Sequence, residues 1–100
     1  VANVSQVIWS PAALADVQRL HDFLREKDPI VARKAVKSIR QNVLILAGQP
    51  EIGRPLDDMP IEFREWLIDF GQSGYVALYR YDGIKTIILA VRHQKEVGYS

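Results

Sequence analysis

Cysteine is absent from this 100-residue chain, and histidine occurs only twice. Without thiols, the sequence excludes disulfide bonds, thiolate nucleophiles and cysteine-rich zinc sites. His21 and His93 are 72 residues apart, so a metal site would need several carboxylates that the sequence does not place at ligand spacing. We therefore predict neither a metal nor a cofactor.

Long apolar runs are also missing, and glycine and proline are few. The longest unbroken apolar stretches, such as residues 43–47, are far below the roughly 18 residues that predict a transmembrane helix. The first four residues carry neither the basic patch nor the apolar run of a secretory signal, so we expect a cytoplasmic protein without membrane contact. With 48% apolar and 25% charged residues, residues 1–100 are expected to form a single domain.

Basic and acidic side chains nearly balance, but they are unevenly distributed along the chain. The formal net charge of +1 indicates no class of partner by itself. Residues 29–50 contain four cations and no acid, whereas residues 51–70 contain six acids and two cations. The four cations are Arg33, Lys34, Lys37 and Arg40. Their spacing places them on the outside of a predicted helix, as either a solvated face or a docking surface for an acidic partner.

Two capping signals predict a pair of helices. A short strand over residues 6–9 stops at Ser10-Pro11, which is typical of an N-cap followed by proline at the first helical position. Apolar residues then recur at positions 13, 17, 20 and 24. Asp28-Pro29 repeats the signal and begins a second apolar seam that ends near Gly48, a helix of about 19 residues. Because almost no linker separates the two helices, they are expected to form a hairpin.

The second half of the sequence predicts three strands. Residues 49–61 lack any periodicity and contain three prolines, which indicates a loop. Residues 63–70 alternate as a half-buried strand does, and residues 71–74 supply a turn into a strand over 75–81. Asp82-Gly83 is a strong hairpin signal before the β-rich residues 84–91. The predicted fold class is α+β: an N-terminal strand, a helical hairpin and a three-strand antiparallel meander.

Several cations and phenols could meet on this meander: Arg64, Tyr75, Tyr79, Arg80, Arg92, His93 and Lys95. Arginine can stabilise charge on phosphorus, and tyrosine or histidine can move a proton, so the set suits a phosphodiester substrate. It equally suits docking to RNA or protein. The plainer interpretation is that the cations pair with neighbouring acids, that both tyrosines belong to the core and that His93 is structural.

The order of these elements, together with several short motifs, resembles the RelE/ParE superfamily of toxins from bacterial toxin–antitoxin operons. The motifs are Gly53-Arg54-Pro55, Arg64-Glu65, Tyr79-Arg80, the opening that runs from Ser10-Pro11 to Asp16, and the tail over residues 92–99. The resemblance covers nearly the whole chain and implies the α+β fold predicted above.

The resemblance implies two different activities for two branches. RelE-like members cleave messenger RNA in the ribosome, whereas ParE-like members bind DNA gyrase and stall it. A RelE-like toxin would have an arginine after Tyr75 and another after His93, but this sequence has Val76 and Gln94. Because both departures remove charge that phosphoryl transfer needs, we favour the ParE-like branch. The alternatives are a RelE-like nuclease and an interaction module without toxicity.

The resemblance also implies site residues and partners. For docking to gyrase the expected residues are Arg64, Arg92, His93, Gln94, Lys95 and Tyr99. For a nuclease they are Arg64, Arg80, His93, Lys95 and Tyr99. A ParD-like antitoxin is expected to fold on the toxin and to mediate any contact with DNA. Its expected surface comprises Leu14, Leu67 and Leu78 with Arg33, Lys34, Lys37 and Arg40.

Overall fold

Two helices pack against one face of a five-stranded sheet in the computed structural model, which describes residues 5–96. The elements are β1 Gln6–Trp9, α1 Pro11–Arg25, α2 Pro29–Gly48, β2 Arg54–Pro55, β3 Phe63–Phe70, β4 Ser73–Tyr81 and β5 Lys85–His93. The strand order is β1-β5-β4-β3-β2; β1 runs parallel to β5 and the other neighbours are antiparallel. The predicted strand, helical hairpin and meander are confirmed.

Both helices begin at the predicted caps. The Ser10 hydroxyl accepts a hydrogen bond from the Ala13 amide at 3.1 Å. The Asp28 carboxylate accepts from the amides of Ile30 and Val31 at 3.0 and 3.3 Å. These bonds satisfy amides that the first helical turn leaves without partners. In the described part of the chain, no helix is apolar enough over sufficient length to cross a bilayer.

The core lies between the helical hairpin and alternate residues of the sheet. Fully buried side chains of α2 are Ala32, Ile39, Val43 and Leu46, and those of the sheet include Ile68, Ala77, Tyr79 and Ile88. Tyr75 and Tyr79 are therefore core residues, as one of the sequence interpretations expected. The residues that alternate with the core residues along each strand face the other side of the sheet, here called the distal face. They include Glu65, Val76 and Arg92.

The predicted loop over residues 49–61 contains a two-residue strand that sequence periodicity did not indicate. β2 pairs with β3, with Arg54 opposite Glu65. Gly53 makes this approach possible, because a Cβ atom there would lie 2.5 Å from the Tyr79 hydroxyl and 2.7 Å from the Glu65 carbonyl oxygen. Other boundaries also shift: β4 begins at Ser73, inside the predicted turn, and β5 extends to His93.

A bulge in β5 links the sheet to α1. Leu78 faces Ala90 while Tyr79 faces Ile88, so Leu89 is the additional residue of β5. The Ser10 hydroxyl donates to the Leu89 carbonyl at 3.2 Å. The N-cap residue of α1 thus provides a hydrogen-bond donor for the carbonyl of the bulged residue, where the pairing of β4 with β5 is interrupted.

Candidate functional site

Residues 93–96, which begin with the last residue of β5, form a hydrogen-bonded turn that is called the C-terminal turn below. The His93 amide donates to the Glu96 carboxylate at 3.0 Å, and the Glu96 amide donates to the His93 carbonyl at 3.0 Å. The Gln94 amide donates to the Gly74 carbonyl at 2.8 Å. Partial burial raises the pKa of Glu96, but the His93 amide and Arg19 outweigh it and leave the pKa below its usual value. The turn therefore includes an ionised carboxylate.

Both ring nitrogens of His93 are engaged. Nδ1 accepts from the Lys95 amide at 3.1 Å, so the hydrogen-bond pattern assigns the proton to Nε2, which lies 3.0 Å from the Ser73 hydroxyl. The imidazole also meets the ring of Tyr75 edge-on, with centroids 5.6 Å apart. A histidine in this state has no lone pair available for a substrate proton. The geometry gives His93 a structural role in the C-terminal turn.

Arg92 joins the C-terminal turn to the distal face. Its Nη1 donates to the carbonyls of His93, Gln94 and Glu96 at 3.3, 3.3 and 2.9 Å. Its Nη2 lies 3.9 Å from Oε2 of Glu65. Arg92 faces Val76, the residue that stands where the RelE resemblance implies an arginine, and Val76 is only 2% exposed.

Arg64 and Arg80 lie far from His93. Arg64 donates to the carbonyls of Glu51 and Gly53 at 3.1 and 2.8 Å, which holds the loop before β2 against the sheet. Arg80 pairs with Asp82 at 3.8 Å. Measured along β4, His93 is level with Tyr75, whereas Arg64 and Arg80 are four and five residues further, roughly 13 and 17 Å away.

The expected nuclease residues are consequently dispersed. Arg80 faces the distal side of the sheet, while Arg64 and His93 face the helices. Lys95 is exposed, and Tyr99 lies outside the described residues. Within residues 5–96, no three side chains of His, Asp or Glu approach one another as metal ligands would.

The four cations of α2 form an exposed surface that is called the basic stripe below. It comprises Arg33, Lys34, Lys37 and Arg40. Within residues 5–96 none of the four takes part in an ion pair. Three of them border a groove of about 370 Å³ whose lining includes His21, Val36 and Leu44. Leu44 is 66% exposed. The stripe thus combines unpaired positive charge with accessible apolar surface.

The three leucines expected to bind an antitoxin fall on two sides of the molecule. Leu14 is 55% exposed and shares a groove of about 410 Å³ with Val17, Gln18 and Arg40. Leu67 and Leu78 belong to the distal face, where Leu67 is 44% exposed and Leu78 is half-buried. Only Leu14 therefore adjoins the basic stripe.

A larger groove, of about 770 Å³, was not predicted from the sequence. It separates the second half of α1 from the β3–β4 hairpin and is lined by Phe23, Phe70, Tyr75 and His93 among others. Phe23 is 60% exposed. Burial raises the pKa of the Tyr75 phenol at the base of this groove. The one feature of the sequence that could have indicated this groove is Phe23, an aromatic residue that falls outside the apolar seam of α1.

Comparison with known proteins assigns this arrangement to a family. The sequence model of a family described as the ParE toxin of the type II toxin–antitoxin system parDE matches residues 7–98. The chain belongs to the RelE/ParE superfamily of type II toxins. A curated relative, Toxin RelE3 of Caulobacter vibrioides, is 30% identical over 93 residues, which are 93% of this toxin and 98% of the relative.

Two solved structures share the fold of the toxin. One is described as the chromosomal ParDE system from P. aeruginosa, with a TM-score of 0.76 and 22% identity. The match covers 91% of this chain and 97% of the chain in that structure. The other is described as the toxin–antitoxin complex RelBE2 from Mycobacterium tuberculosis, with a TM-score of 0.64 and 21% identity. This match covers 91% of this chain and 99% of the chain in that structure. Both similarities concern the fold of the toxin.

Proposed function

We propose that this toxin is ParE-like, inhibiting DNA gyrase by docking through the C-terminal turn and the adjoining end of β5. The observation that carries the proposal is the buried Val76 beside Arg92, at the position where the RelE resemblance implies a catalytic arginine. A valine cannot stabilise the charge that develops on phosphorus. The match to the ParE family model supports the same branch.

The polar side chains of the proposed docking set suit binding to a protein better than catalysis. Arg64 and Arg92 are 15% and 16% exposed, and each is bonded to backbone carbonyls. Among the members of the proposed docking set within residues 5–96, Lys95 is exposed and Gln94 is half-buried. A compact hydrogen-bonded turn that presents a lysine suits protein recognition, since little ordering is required on binding.

The alternative is a RelE-like messenger RNA endonuclease, which the similarity to Toxin RelE3 of Caulobacter favours. Attack by a 2′-hydroxyl needs a base, an acid and a cation between them. For His93 to act as the base, the bond between Nδ1 and the Lys95 amide would have to break. Arg64 and Arg80 would also have to approach from the far end of the sheet.

Gyrase supercoiling assays test the proposal directly. The toxin, purified free of antitoxin, is expected to inhibit supercoiling or to trap cleaved DNA with gyrase. Lys95→Glu is expected to weaken inhibition roughly tenfold, whereas Lys85→Glu makes the same charge change near the start of β5 and should leave it intact. Normal supercoiling at large molar excess of the wild-type toxin would reject the proposal. New 5′ ends on translated messages, mapped by primer extension, would support the nuclease instead.

We also propose a ParD-like antitoxin as the neutralising partner, with any contact to DNA made through it. The two structural neighbours are described as toxin–antitoxin systems, which supports this assignment. The basic stripe and Leu14 offer positive charge beside apolar surface, which suits an acidic amphipathic segment. Leu67 and Leu78 would require the same antitoxin to reach the distal face. If induced expression without antitoxin leaves growth unaffected while antitoxin binding persists, the chain is a non-toxic binding module.

A further inference from the structure

The distal face of the sheet contains a buried carboxylate. Glu65 is 7% exposed and lies on β3 opposite Leu78. Burial of a carboxylate is costly unless cations and hydrogen bonds compensate it. An apolar residue of similar volume would satisfy the alternation of β3 without this cost. The position of Glu65 therefore calls for an explanation beyond packing.

Two arginines from different strands compensate Glu65. Nε and Nη2 of Arg54 donate to Oε1 at 3.2 and 3.1 Å. Oε2 lies 3.9 Å from Nη2 of Arg92. Since each carboxylate oxygen faces a different guanidinium, Glu65 connects β2 on one side with β5 on the other.

The guanidinium of Arg92 also holds the C-terminal turn. Three carbonyls, those of His93, Gln94 and Glu96, converge on Nη1, while Nη2 is directed towards Glu65. A guanidinium is planar and its donors have fixed directions, so constraining Nη2 also constrains Nη1. The Glu65 carboxylate is thus placed to attract Nη2 and to favour the orientation in which Nη1 faces the turn.

We propose that Glu65 is a positioning residue, which orients Arg92 and thereby holds the C-terminal turn in its target-binding shape. This inference rests on the proposed role of the turn in target binding. Glu65 itself does not touch the target. Its carboxylate acts across the distal face, and its loss is expected to loosen residues 93–96 while the helices and the helix-facing core remain in place.

Glu65→Gln tests the inference, because it keeps the volume of the side chain and removes its charge. Asp57→Asn is the matched control, since it makes the same chemical change on an exposed loop residue. Arg92→Lys provides a second variant. It keeps the positive charge, but a lysine cannot contact Glu65 and donate hydrogen bonds to the three carbonyls at the same time. The double variant Glu65→Gln/Arg92→Lys should be little worse than Arg92→Lys alone, because both changes break the same connection.

Two measurements are made on each variant: hydrogen exchange of the amides of residues 93–96, and growth arrest at matched expression. Glu65→Gln and Arg92→Lys are expected to accelerate exchange of these amides by about tenfold or more, with α2 amides unchanged, and to relieve growth arrest. Asp57→Asn should alter neither. If Glu65→Gln does not fold, Glu65→Asp replaces it, because the shorter side chain keeps the charge but withdraws it from Arg92 and is expected to have the same two effects.

Unchanged exchange in the turn, or faster exchange with undiminished growth arrest, would overturn the positioning role. Uniformly faster exchange throughout the chain would also overturn it, because Glu65 would then serve global stability. A wild-type toxin that arrests growth without affecting gyrase would instead reject the proposed target. Growth arrest and exchange do not depend on the identity of that target, so the two failures are distinguishable.

Discussion

Oδ2 of Asp16 accepts a hydrogen bond from the Val91 amide at 2.9 Å, although the two residues are 75 positions apart in the chain. Val91 follows the bulge in β5, where the ladder with β4 is interrupted. Asp16 and the Ser10 cap together bind the amide of Val91 and the carbonyl of Leu89. The first helix is thereby fastened to the strand that leads into the C-terminal turn.

Replacing Asp16 by alanine is expected to lower the free energy of unfolding by about 1–3 kcal/mol, because the Val91 amide loses its acceptor in a partly buried position. Urea denaturation measures this change. Asp22→Ala on the same helix removes an exposed carboxylate and should change stability by less than about 0.5 kcal/mol. Equal effects of the two substitutions would contradict the assigned role of Asp16.

Tyr79→Phe is expected to release the loop before β2. The hydroxyl donates to the Pro50 carbonyl at 2.8 Å and accepts from the Gly53 amide at 2.9 Å, so its removal leaves two backbone groups without this partner. We expect a loss of about 1–3 kcal/mol and faster hydrogen exchange near Gly53. Tyr81→Phe is the matched control on the same strand. Unaltered exchange near Gly53 would show that Tyr79 does not anchor the loop.

Two buried tyrosines are expected to make the folded state less stable at alkaline pH. Burial raises the pKa of both Tyr75 and Tyr79 above 10.0; the Gly53 amide and Arg64 only partly oppose this for Tyr79. The folded state therefore holds these protons more tightly than the unfolded chain. Their contribution to stability is fully present below pH 10 and is lost as the pH rises through the folded-state values. In absorbance at 295 nm, Tyr75 and Tyr79 should titrate late in the native protein, and Tyr79→Phe should lose one late-titrating phenol. Titration of every tyrosine near the ordinary pKa would contradict this assignment.

Reversing charge on the basic stripe is expected to slow antitoxin association. Arg33→Glu/Lys37→Glu should lower the association rate constant roughly tenfold or more at low salt, with a smaller difference at high salt, because exposed charges act mainly by steering. Arg25→Glu/Lys85→Glu changes the net charge equally at other exposed positions. Surface plasmon resonance separates the rate constants. Equal slowing by both double variants would assign the effect to overall charge.

The elements that sequence predicted well were those with local signals. Ser10-Pro11 and Asp28-Pro29 marked helix starts because capping involves residues within one turn of each other. Alternation identified β3 because a sheet with two different faces imposes a period of two. The distribution of the four α2 cations over an exposed helix face followed from helical periodicity in the same way.

What sequence could not predict depends on pairing between distant segments. β2 has only two residues, and its position depends on the close contact of Gly53 with Tyr79, which no local pattern encodes. Arg64 and Arg80 lie within two residues of an acid in the sequence, but only the register of β3 and β4 shows that they face opposite sides of the sheet. The connection from Glu65 through Arg92 to the C-terminal turn likewise requires knowledge of three strands at once.

The central position of β5 in the sheet has a consequence for biosynthesis. β5 lies between β1 and β4, so β1 has no strand to pair with until residues 85–93 have also been translated. The sheet therefore closes late, through contacts between distant parts of the chain. A nascent polypeptide released before that point lacks the strand, the bulge and the segment that follows it. Given the proposed role of the C-terminal turn, prematurely terminated products of an interrupted message are expected not to arrest growth.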